Sequence, residues 1–183
     1  PDGSAVLFRS TRADFNDTRL YSVSLDGGLP EVLPMPRAGS GDDAPNGQAI
    51  LYSPLFRDFR TWKRYRGGMT PNIWIYDLPN NTIEEITPRD ANDMIPMWQD
   101  DTIYFLSDRN EQMRYNLYAY DTATKQTRQL TDYTDYDIQW PSIGPDAIVV
   151  RSDRPIEEAE RRKISLFCDV PLAAVINAVD AES

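Results

Sequence analysis

A chain of 183 residues with a formal charge of −10, 40% hydrophobic and 11% aromatic side chains has ample material for a folded core. It holds one cysteine, Cys168, and no histidine, which excludes an internal disulfide, a thiolate metal cluster, histidine-ligated metal and any nucleophile activated by imidazole. The acidic balance disfavours a nucleic-acid partner, and no apolar run approaches the roughly 18 residues of a membrane span.

The chain opens on Pro1-Asp-Gly3, a turn set directly before a strand, as in a segment cut from a longer protein. A strand signal follows, Ala5-Val-Leu-Phe-Arg-Ser10, and it recurs as Ala49-Ile-Leu-Tyr-Ser-Pro54, Thr102-Ile-Tyr-Phe-Leu-Ser107 and Ala147-Ile-Val-Val-Arg-Ser152. The starts lie 44, 53 and 45 residues apart. A partner signal follows the first three, as Arg19-Leu-Tyr-Ser-Val-Ser24, Asn72-Ile-Trp-Ile-Tyr-Asp77 and Asn116-Leu-Tyr-Ala-Tyr-Asp121. Strand and partner start 14 residues apart in units one and three but 23 apart in unit two, so unit two carries a nine-residue insertion within Leu55 to Thr70.

Each unit then turns through a hairpin, Leu25-Asp-Gly-Gly28, Leu78-Pro-Asn-Asn81 or Thr122-Ala-Thr-Lys125, into a short third strand. A repeat of about 40–50 residues with several strands is the mark of a propeller blade. Runs such as Ile73-Trp-Ile-Tyr76 are apolar on both faces, as expected of a sheet held between two neighbours. An immunoglobulin-like sandwich would alternate and would lack the period. The fold predicted is all-β: a propeller fragment of three to four four-stranded antiparallel blades, divided near 1–43, 44–97 and 98–143, with the start of a fourth at 144–152. Residues 153–183 form an atypical tail. In it Pro155, three glutamates and then Arg161-Arg-Lys163 are ordered as in a helix opening, which Pro171 should interrupt.

Asp77 and Asp121 share one repeat position, held by Ser24 in unit one. Carboxylates on adjacent loops suit Ca²⁺, but no dense Asp-x-Asp spacing accompanies them. The favoured role is acceptance of hairpin N–H groups, and no metal or cofactor is expected. The insertion reverses the local sign of charge: Arg57, Arg60, Lys63, Arg64 and Arg66 interleave with Phe56, Phe59, Trp62 and Tyr65. Such a loop suits carboxylates or phosphates. It equally suits a packing role, with aromatics on the blade and cations paired to local carboxylates such as Asp58.

The string Arg60-Thr-Trp-Lys-Arg-Tyr-Arg-Gly-Gly68 followed by Ile73-Trp-Ile-Tyr-Asp-Leu78 resembles the tricorn protease family, in its amino-terminal propeller. The pattern around each hairpin is also similar to the repeats of TolB-type propellers. The resemblance runs from Pro1 to about Val150 and ends where the tail departs from the blade pattern. It implies a non-catalytic propeller segment of a serine peptidase that trims oligopeptides, serving as a channel or filter. The alternative is a TolB-like module for protein binding. It also implies peptide contact by Arg60, Lys63, Arg64, Tyr65 and Arg66, with Arg64 and Arg66 steering peptide termini. The implied partners are the remaining blades, a protease domain and a further copy of the chain. Neither nucleic acid nor membrane is implied, and the implied location is cytoplasmic, without excluding a secreted or periplasmic one. The catalytic elements of that family have no counterpart here, so no catalytic residue is assigned.

Overall fold

The structure, a computed structural model, describes residues 3–13, 17–55, 64–88, 90–144 and 147–152. The first sheet holds β1 (Ala5–Ser10), β2 (Arg19–Ser24) and β3 (Glu31–Val32). The second holds β4 (Ser40–Asp43), β5 (Ala49–Ser53), β6 (Trp74–Asp77) and β7 (Thr82–Glu85). The third holds β8 (Asp93–Gln99), β9 (Thr102–Ser107), β10 (Asn116–Asp121) and β11 (Thr127–Gln129), and the last pairs β12 (Ile138–Ile143) with β13 (Ile148–Ser152). Every pairing is antiparallel between chain neighbours, so each sheet is a meander. The described residues form no helix, and the three expected strand starts at 5, 49 and 102 are observed. The tail assigned a helix, 153–183, lies outside the described residues.

Three apolar clusters mark the seams between successive sheets. Leu20, Met35, Ile50, Tyr52 and Tyr76 fill the first, and Leu51, Ile73, Ile103, Phe105, Tyr118 and Tyr120 fill the second. The third joins Tyr104, Leu106, Leu117 and Ala119 to Ile138, Ile148 and Val150. Along β9 the side chains thus alternate between two seams, and both faces are apolar because both are covered. A fully buried Phe105 contributes about 1.5–3 kcal/mol in removing its ring from water.

The hairpins are fastened as the repeat position implied. The Asp77 carboxylate accepts from the Asn80 N–H at 3.0 Å, and Asp121 accepts from the N–H groups of Ala123 and Thr124. Ser24 does the same with its hydroxyl, taking the Asp26 N–H at 3.1 Å. Asn81 and Lys125 close their hairpins at positive φ, while the first hairpin uses Gly27 and Gly28 there.

One division needs correction. Sequence boundaries at 43/44 and 143/144 assign β4 and β12 to the preceding unit, and the one at 97/98 cuts β8 after Met97. Hydrogen bonding joins each instead to the sheet that follows, as its first strand. The reason is local: β8 turns directly into β9 through Asp100-Asp101, whereas the link from β7 crosses to a new sheet. β8 and β12 each carry a bulge, with Ile95 and Trp140 at positive φ before Pro96 and Pro141.

Candidate functional site

The insertion leaves β5 and returns before β6, so its end arrives at the seam between the second and third sheets. There the chain is bent by Arg64, which stands at φ 57, and by Gly67. The Gly67 N–H donates to the Thr70 hydroxyl at 2.9 Å, and a Cβ at this position would fall 2.4 Å from the Tyr65 hydroxyl. Glycine is therefore required for Tyr65 to fold back over the turn.

Arg66 reaches across the seam. Its Nη1 donates to Asp108 Oδ2 at 3.0 Å and its Nη2 to the Asp108 carbonyl at 3.2 Å. The Asp108 side chain is wholly buried and also accepts the N–H and side-chain amide of Asn92, both at 2.7 Å. Asn92 completes the fastening by donating to the Tyr65 carbonyl at 3.1 Å. Arg64 donates through Nε to the Met113 carbonyl at 3.3 Å, and otherwise presents its guanidinium to solvent. The described end of the insertion is thus a strap from the second sheet onto the third.

Of the five residues expected to contact a ligand, Arg64, Tyr65 and Arg66 are brought together here. Arg60 and Lys63 lie outside the described residues. Arg66 is held by Asp108 and keeps a third of its side chain exposed. Among the described residues, the cationic head most available at this end of the seam is that of Arg64.

Beside the strap lies a second buried ion pair. Arg109 Nη2 donates to both oxygens of Asp93 at 2.9 Å, and its Nε to the Ser107 hydroxyl at 2.9 Å. Its guanidinium lies 5.3 Å from the Phe105 ring centre and 5.1 Å from that of Tyr118. Burial pushes the Asp93 carboxyl above its ordinary value, with Arg109 acting in opposition. Burial likewise pushes the Tyr118 phenol up to about 12. At the opposite end of the same seam Asp42, Asp43, Trp98 and Asp100 line a hollow of about 250 Å³. Asp42 there accepts the Trp98 N–H at 2.8 Å, and burial raises its pKa. The seam therefore runs from a basic end to an acidic one.

Residues 1–163 match the model of the tricorn protease N-terminal beta propeller domain. The chain belongs to this family. A tricorn protease homolog of Saccharolobus solfataricus is 32% identical over 152 residues, 81% of this chain and 14% of that protein. A putative TolB from Agrobacterium tumefaciens superposes with a TM-score of 0.65 at 19% identity, over 82% of this chain and 50% of that one, which shows the shared fold. A shorter similarity links 41 residues, 22% of the chain, to 7% of the CTP synthase of Leifsonia xyli, at 63% identity. The chain thus spans a small part of the curated relatives it matches.

For this tricorn-family propeller, sequence reasoning missed Arg109, Asp93, Asp108 and Asn92. A signal for the arginine was present. Ser-x-Arg begins at the last residue of the recurring strand signal at Ser10-Thr-Arg12, Ser107-Asp-Arg109 and Ser152-Asp-Arg154. No sequence spacing pointed from Arg66 to Asp108, which lies 42 residues onward in another sheet.

Proposed function

We propose that this segment serves a tricorn-type protease as a non-catalytic wall of a peptide channel or filter, with the strap offering cations to peptide carboxylates. The observation that carries this reading is the placement of Arg64, exposed at the basic end of a seam on a strap anchored by Arg66 and Asp108. A fixed base beneath an exposed guanidinium suits recognition of a carboxylate, because little side-chain freedom is then lost on binding. Tyr65, Arg60 and Lys63 complete the proposed contact set. A single exposed pair contributes about 0.2–1 kcal/mol, so the effect is one of selection rather than tight capture.

The test uses the whole parent protease and pairs of oligopeptides that differ only in a free or amidated carboxyl end. Arg64→Ala should raise KM about two- to fivefold for the free-acid peptides and leave the amides unchanged, with kcat intact. Equal KM values for both peptide classes before and after substitution would remove the carboxylate role. The isolated chain should also turn over no activated ester above buffer background, since its own residues supply no imidazole-activated nucleophile. The alternative, a protein-binding module, gains support from the TolB-like fold alone, and capture of a partner protein by a surface away from the strap would favour it.

A further inference from the structure

Two residues at positive φ meet across the second seam. Arg64, at φ 57, belongs to the strap from the second sheet, and Met113, at φ 51, lies in the link between β9 and β10 of the third. The Arg64 Nε donates to the Met113 carbonyl at 3.3 Å. A long side chain seldom takes this backbone conformation, and where it does the surrounding structure must enforce it. At Met113 a turn does so. The Met113 N–H donates to the Asn110 carbonyl at 3.0 Å, and the Arg114 N–H to Asn110 Oδ1 at 2.8 Å.

This turn leaves Met113 in water. Of the chain's five methionines, Met35 and Met97 are buried, Met69 and Met94 are half-buried, and Met113 is 40% exposed. Its neighbours Glu111 and Gln112 are exposed as well, and so is Arg64. Met113 enters none of the three apolar clusters, so a polar atom added to it costs the core nothing. Its thioether belongs to the same residue as the carbonyl that holds Arg64, on a side chain with three rotatable bonds. The sulfur is therefore both open to a reagent and within reach of the guanidinium.

We infer that Met113 is a site of reversible oxidation that controls Arg64. The oxidant is a hydroperoxide. A sulfur lone pair attacks its terminal oxygen, the S–O bond forms as the O–O bond breaks, and the hydroxyl proton passes to the departing oxygen, which leaves as water or an alcohol. The sulfur loses two electrons and the peroxide gains them, and a methionine sulfoxide reductase drawing on thiol electrons restores the thioether. The sulfoxide oxygen is a strong acceptor beside a guanidinium otherwise open to solvent, and it takes hydrogen bonds that a peptide carboxylate would receive. The effect on peptide selection rests on the carboxylate role proposed for Arg64; the oxidation and the new contact do not.

Dilute hydrogen peroxide on the folded chain, followed by peptide mass mapping, should oxidise Met113 about fivefold faster than Met69 or Met94 and leave Met35 and Met97 intact. Oxidation should shift the Arg64 Nε–H resonance, a change that Met113→Leu abolishes and a sulfoxide reductase reverses. In the whole parent protease the same treatment should lower the preference for free-acid over amidated peptides about two- to fivefold, while the Met113→Leu enzyme keeps its preference. Oxidation of Met69 or Met94 at an equal or greater rate would overturn the site. So would an Arg64 resonance that stays in place, or one that moves equally in the Met113→Leu chain. A preference present beforehand and undiminished by oxidation would remove the control of Arg64. A parent with no preference before treatment would count against the peptide channel instead, and the mass and resonance readings would still decide the oxidation.

Discussion

The pKa values of individual carboxyl groups in this chain move in opposite directions because their surroundings differ. Hydrogen bonds from the Asn80 side chain and N–H hold Asp77 below the ordinary aspartate value, and those from the Thr124 N–H and hydroxyl do the same for Asp121. Burial moves Asp42 and Asp93 the other way. A carboxyl lowered in the fold adds stability above its unfolded pKa and loses it as pH falls through the folded value. A raised one favours the fold in acid, and that contribution is lost as pH rises through its folded value. Carboxyl ¹³C titration should therefore find Asp42 and Asp93 protonating first on acidification, and Asp77 and Asp121 last. The reverse order would mean that neither burial nor the hairpin N–H groups control these sites.

Arg66 and Gly67 carry the residue-scale test of the strap. Removing the guanidinium leaves Asp108 buried with only Asn92 as donor, a loss of about 1–3 kcal/mol. Arg109→Ala leaves the wholly buried Asp93 with only the Ser107 and Thr87 hydroxyls against its charge and should cost about 3–5 kcal/mol. Urea unfolding of the two variants should rank them in that order. Gly67→Ala should unseat Tyr65 and weaken peptide selection as Arg64→Ala does, with a smaller loss of stability than Arg66→Ala.

Strands of two kinds make up the sheets, and they were not equally legible. β1, β5, β9 and their partners announce themselves through β-branched and aromatic runs whose period survives the insertion. β4, β8 and β12 do not. β4 is Ser-Gly-Asp-Asp, while β8 and β12 each contain a proline and a bulge, which disperses any alternation. The blade count was thus readable, but the strand that opens each sheet was not. The same distinction holds at the site. A cluster of cations is visible in a sequence window, whereas the buried partners Asp108 and Asn92 sit in another sheet and owe their roles to its packing. Trp140 gives the bulge a measurable consequence. Half exposed at φ 49, it bears a left-handed strain of about 1–2 kcal/mol. Trp140→Asn should raise the urea midpoint, while Trp140→Val should lower it.

At the scale of the molecule, the apolar surface not covered by a neighbour is concentrated on outer elements. Leu29 is 90% exposed, Leu25 67%, Ile83 55%, Val32 47% and Val6 45%. Such a face on a sheet edge favours association despite the charge of −10. Sedimentation of the chain should show mass growing with concentration, and Leu29→Lys with Val32→Lys should suppress that growth. A monomer at every concentration before substitution would rule out this source of contact.

The seams also set the order in which the assembly comes apart. The second and third are riveted by buried carboxylates, Asp108 accepting from Arg66 at one and Asp137 from the Tyr115 N–H at the other. The first relies on its apolar filling, a few main-chain contacts and an Arg37–Asp17 pair open to solvent. Wear should begin there: under slow proteolysis the leading sheet peels away like the loose end of a tape, and what persists in the digest is a fragment that begins near residue 40.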